Sequence, residues 1–71
     1  MNELELKLLK LMAERTLLTT PELKNLLGEE NGLDLALASL RQQGYIEKIE
    51  SLGICWIVTK RGLQAIKNLS L

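Results

Sequence analysis

The spacing of the apolar residues changes at Gly44, and that change limits the possible folds more than any other feature. Before it, apolar residues recur every three or four positions, the period of helices that each turn one side inward. After it, residues 45–50 and 54–59 are rich in aromatic and β-branched side chains and are separated only by Ser51, Leu52 and Gly53, the pattern of a β-hairpin. A two-stranded hairpin is not stable alone, and short helices cannot bury their apolar faces alone. With 71 residues the chain has room for a single domain, residues 1–71, in which these parts cover one another.

In the helical part, Leu4, Leu8, Leu11 and Met12 mark the inward face of a first helix over residues 2–15. Leu6, Leu9 and Ala13 extend that face into a broad arc, which either lies against two sides of a small domain or forms a dimer seam. Leu17 and Leu18 suit a minimal extra strand. Thr19, Pro21 and Glu22 carry the spacing of a capping box with proline in the first turn, so a second helix starts there. Leu23, Leu26 and Leu27 give it an inward face, and Gly28 closes it with an expected left-handed cap. Residues 32–43 form a third helical pattern with Leu33, Ala36, Leu37 and Leu40 inward, ended by Gly44. Beyond the hairpin, Thr59 caps a last helix from which Leu63 and Ile66 return to the core, with Ala65 or Leu69 beside them.

Composition removes most chemistry. There is no His and one Cys, Cys55, which takes away the commonest general base, a protein zinc site and any intramolecular disulfide. Two close carboxylate pairs, Glu29 with Glu30 and Glu47 with Glu50, lack the partners that acid–base catalysis needs, so no enzyme and no cofactor are expected. Cys55 is expected to pack in the core. Charged residues interrupt every apolar run before about 18 residues, so no membrane segment is expected. The lone cysteine, without a signal peptide, suits a cytoplasmic setting. Nine Lys plus Arg against nine Asp plus Glu give a net charge of zero, so binding to a polyanion must come from a local patch.

The segment PELKNLLGEENGLDLALASLRQQGYI, residues 21–46, with WIVTKRG at residues 56–62, resembles the winged helix-turn-helix family of bacterial and archaeal transcription regulators. The resemblance covers nearly the whole chain and lies in the spacing of Leu23, Leu27, Gly28, Leu33, Leu37, Leu40, Gly44 and Ile46, and in the Thr-x-x-Gly of Thr59 and Gly62. It implies an α+β, mostly α, fold: a three-helix core, a two- or three-stranded β wing and a C-terminal helix. It also implies that residues 32–43 enter the major groove of double-stranded DNA with the hairpin alongside. On a helical wheel Leu35, Ala38, Ser39 and Gln42 then face bases, with Gln42 suited to adenine and Leu35 or Ala38 to a thymine methyl. Lys24, Arg41, Lys48, Lys60 and Arg61 are the candidates for phosphate contacts.

Other features favour a protein partner. Glu29, Glu30 and Asp34 place carboxylates at the start of the third helix, where phosphate would otherwise bind. The turn before that helix is one residue shorter than in the family pattern, and the hairpin tip at Leu52 carries no cation. An exposed Leu35 and Leu52 would suit a protein surface. The sequence therefore supports a small homodimeric transcription regulator, paired through its first and last helices, with a winged-helix protein-interaction module as the alternative.

Overall fold

The computed structural model describes residues 2–15, 17–28, 32–51 and 53–69. In chain order these form α1 (Glu3–Arg15), β1 (Leu17–Thr19), α2 (Thr20–Leu27), α3 (Leu33–Gln42), β2 (Ile46–Ile49), β3 (Cys55–Val58) and α4 (Lys60–Leu69). The result is a small, mostly helical α+β domain with a short antiparallel sheet in the order β1-β3-β2. Leu18 pairs with Trp56 across β1 and β3, and Lys48 pairs with Trp56 across β2 and β3.

Local chemistry explains most boundaries. Thr19 caps α2 through a complete capping box: its hydroxyl accepts from the Glu22 N–H at 3.3 Å, and the Glu22 carboxylate accepts from the Thr19 N–H at 3.2 Å. Gly28 ends that helix with φ 76 and ψ 176, a glycine conformation outside the left-handed helical cap expected for it. At the other end of α3, Gly44 has φ 82, its N–H bonds the Arg41 carbonyl and the Tyr45 N–H bonds the Leu40 carbonyl, each at 3.0 Å. This double closure is a Schellman motif, and it turns the chain directly from α3 into β2. Thr59 then binds the same corner from the far side: its hydroxyl donates to the Gly44 carbonyl at 2.6 Å and accepts from the Gly62 N–H at 3.1 Å.

The core joins Leu8, Leu9 and Met12 of α1 to Leu18, Leu23, Ile46, Trp56 and the α3 residues Leu33, Ala36, Leu37 and Leu40. α1 packs against α3, α4 and the sheet. Its broad apolar arc is therefore used within the chain, and Leu9 is fully covered. The centre of the buried face falls on Glu5, Leu8, Leu9 and Met12, one position away from the expected stripe, because two helices cover it from different sides; Leu4 and Leu11 are half-buried. Two expected core residues lie outside. Leu26 is 45% exposed and Leu63 is 47% exposed, since α2 buries itself through Leu23 and Leu27, and α4 through Gly62, Ala65 and Ile66.

Strand alternation divides the sheet. Leu18, Ile46 and Trp56 face inward, and Leu17, Ile49, Cys55 and Ile57 lie on the other face. Cys55 is thus half-buried on the outer face and is not part of the core, contrary to expectation, because burial of Trp56 fixes its neighbour to the opposite side. No helix among the described residues is long and apolar enough to cross a membrane.

Candidate nucleic-acid interface

α3 is held by its four inward residues, all at most 5% exposed, and this leaves one long side of the helix open. The Schellman turn at Gly44 brings β2 back beside that side. Between them lies an open groove of about 460 Å³, lined by Asp34, Leu37, Ala38, Arg41 and Gln42 of α3 and by Lys48 and Trp56 of the hairpin. Asp34, Ala38, Arg41 and Gln42 sit at offsets of four, seven and eight residues, which places them along one helix face.

The hairpin wall is built by register. Lys48 and Trp56 are directly paired across β2 and β3, and the Lys48 ammonium lies 5.9 Å from the Trp56 ring centroid. Lys48 also pairs with Glu50 at 3.3 Å. On its other edge the Trp56 indole N–H donates to the Thr20 hydroxyl at 3.1 Å, tying the sheet to the start of α2. The groove floor is thus tied to α2, and its charges balance once Glu50 beside Lys48 is counted: Arg41 and Lys48 stand against Asp34 and Glu50.

The nine residues named from the sequence separate into groups. Ala38, Gln42, Arg41 and Lys48 share the groove. Leu35 is 77% exposed and lines a second open groove, of about 450 Å³, with Asn2, Leu4, Glu5, Gly32, Ala36 and Ser39. Ser39 is half-buried toward α1, where its hydroxyl donates to the Glu5 carboxylate at 3.0 Å. Arg61 lies over the Tyr45 ring, 5.9 Å from its centroid, at the corner where α3 meets the hairpin. Lys24 and Lys60 are exposed and do not line the groove. Glu29, Glu30 and Leu52 lie outside the described residues.

Three groove residues, Asp34, Leu37 and Trp56, are not among the nine, and Leu37 lines the groove from the inward stripe. Asp34, one of the carboxylates at the start of the helix, shares the groove face with Ala38 four residues on, and that spacing is its signal in the sequence. Trp56 belongs to the core and, paired with Lys48, also lines the groove. Glu5 had no comparable signal, because a carboxylate in a first helical turn is favoured there by the helix dipole alone.

No family model, curated protein or solved structure matches this chain. Among the described residues no group of three or more His, Cys, Asp or Glu is placed to hold a metal ion.

Proposed function

We propose that the domain is a winged helix-turn-helix that binds double-stranded DNA as a small transcription regulator, with α3 in the major groove and the β2–β3 hairpin as the wing. The observation that supports this most is the shared groove, in which Gln42, Ala38 and Arg41 of α3 lie beside Lys48 of the hairpin. In this reading Gln42 hydrogen-bonds adenine, Ala38 and Leu35 touch thymine methyls, and Arg41 and Lys48 meet phosphate, with Arg61 in reserve at the corner beside them. Ser39, turned to Glu5, leaves the set of base contacts. Lys24 and Lys60 remain available for phosphate in a bent or wrapped duplex. Pairing of two copies through α1 and α4 fits the exposed Leu63 and the half-buried Leu6. No catalytic role or cofactor belongs to the proposal, and the setting is cytoplasmic.

Fluorescence anisotropy with mixed-sequence duplexes at several salt concentrations tests it. The wild-type protein binds at low salt and weakens as salt rises, and Arg41→Ala with Gln42→Ala removes most of the affinity. A protein that ignores DNA at low salt refutes the reading. The second reading, a winged helix that docks on another protein, draws on Leu35, 77% exposed on α3 and lining an open groove with Leu4 and Ala36.

A further inference from the structure

Glu5 is 8% exposed, yet no ion pair joins it to a cation among the described residues. Its Oε2 accepts from the Ser39 hydroxyl at 3.0 Å and from the Gln43 side-chain amide at 3.5 Å. That amide also reaches the Ser39 carbonyl and hydroxyl, at 3.2 and 3.1 Å, so the three side chains form one closed cluster. On its own helix Glu5 is fixed by Asn2, whose side-chain oxygen accepts the Glu5 N–H at 2.8 Å.

Among the described residues of α1 and α3, the other buried side chains are apolar. Leu8, Leu9 and Met12 meet a stripe of Leu33, Ala36, Leu37 and Leu40, and such contact is non-directional: a helix that rolls slightly on it keeps most of its buried area. Gly32, at φ 92, gives the start of α3 no side-chain cap. A buried carboxylate without a cation costs stability relative to an apolar residue of similar size. Its return is direction, because hydrogen bonds are satisfied at one rotation of the helix and broken at others.

We propose that Glu5, through Ser39 and Gln43, is a positioning residue that sets the rotation of α3 on α1, and so the direction in which Ala38, Arg41 and Gln42 point. The positional claim stands on the packing; its consequence for base reading rests on the DNA-binding function proposed above.

The test uses Glu5→Met, which keeps the volume and removes the acceptor, Glu5→Gln, which keeps an acceptor, and Ser39→Ala, which removes only the donor. Backbone residual dipolar couplings give the α1–α3 orientation in each. Glu5→Met is expected to melt no lower than wild type while α3 turns by about 10–20° or samples several orientations, and Glu5→Gln restores the wild-type couplings. With DNA bound, the ratio of specific to non-specific affinity falls at least about fivefold in Glu5→Met and recovers in Glu5→Gln. Wild-type couplings in Glu5→Met overturn the proposal. If that variant does not fold, wild-type couplings in Ser39→Ala combined with Gln43→Ala, which removes both donors, overturn it instead. A wild-type protein with no DNA affinity removes the DNA-binding reading but leaves the couplings to decide the position of α3.

Discussion

Replacing Gly62 with alanine should damage this domain more than any other single-methyl change at a glycine. Gly62 sits in the first turn of α4, and a β-carbon there would overlap the Tyr45 carbonyl oxygen and lie 2.8 Å from Val58 Cγ2. The first obstacle is backbone, held by the Thr59 N–H at 2.9 Å, so no side-chain rotation relieves it. α4 must back away, which strains packing by about 1–3 kcal/mol. The retreat also loosens the Thr59 cap and its bond to Gly44, each worth about 1 kcal/mol. Alanine recovers up to about 1 kcal/mol of helix propensity. The net loss is about 2–4 kcal/mol, which lowers the melting temperature of so small a domain by roughly 10–30 °C. Gly28 supplies the control: with φ 76 and ψ 176 but nothing within 4 Å of a new β-carbon, alanine there costs only backbone strain, about 1–3 kcal/mol. Thermal melts followed by far-UV circular dichroism compare the two. If Gly62→Ala melts within a few degrees of wild type, or above Gly28→Ala, the close approach of α4 to Tyr45 is refuted.

Three further outcomes follow from individual contacts. Thr19→Ala removes the α2 capping box and should cost about 0.5–2 kcal/mol in a denaturant melt, without change in the denaturant slope. Trp56→Phe leaves the Thr20 hydroxyl without its indole donor and opens space under the hairpin, a loss of about 1–3 kcal/mol by the same measurement. Asp34→Asn removes a carboxylate from the groove and should tighten a DNA complex on the order of threefold at low salt, with the gain fading as salt rises; weaker binding would move Asp34 from the repelling to the contacting residues.

What could be read from the sequence was what is decided locally. The capping box at Thr19 and Glu22, the stop at Gly44 and the Thr59 cap on Gly62 each involve residues within a few positions of one another, and all three formed as expected. The α3 stripe was equally legible, because four apolar residues at helical spacing mark which face turns to the core. Legibility failed where the answer depended on which neighbour covers a flank. Leu26 and Leu63 fit their helical stripes, yet the partner surfaces end before reaching them. Ser39 occupies an outward position on the wheel of α3, but α1 passes along that flank and its Glu5 takes the hydroxyl. A helical wheel gives angles within one element and nothing about the next.

Electrostatics gives the DNA reading its sharpest quantitative consequence. The chain carries no net charge, and its groove holds Arg41 and Lys48 against Asp34, with Glu50 already on Lys48. A monomer that engages these two cations displaces about two counterions, so the logarithm of its affinity should fall with the logarithm of salt at a slope of about −2. That is roughly a tenfold loss between 50 and 200 mM salt. A two-fold dimer presents the groove twice, and its slope doubles to about −4, roughly a hundredfold loss over the same range. A docking surface centred on Leu35 buries apolar area instead and responds weakly to salt. Slope against oligomeric state therefore separates three arrangements with one titration. A steep slope from a protein that sedimentation shows to be a monomer would mean that Lys24, Lys60 and Arg61 join the contact, and that the duplex bends to reach them.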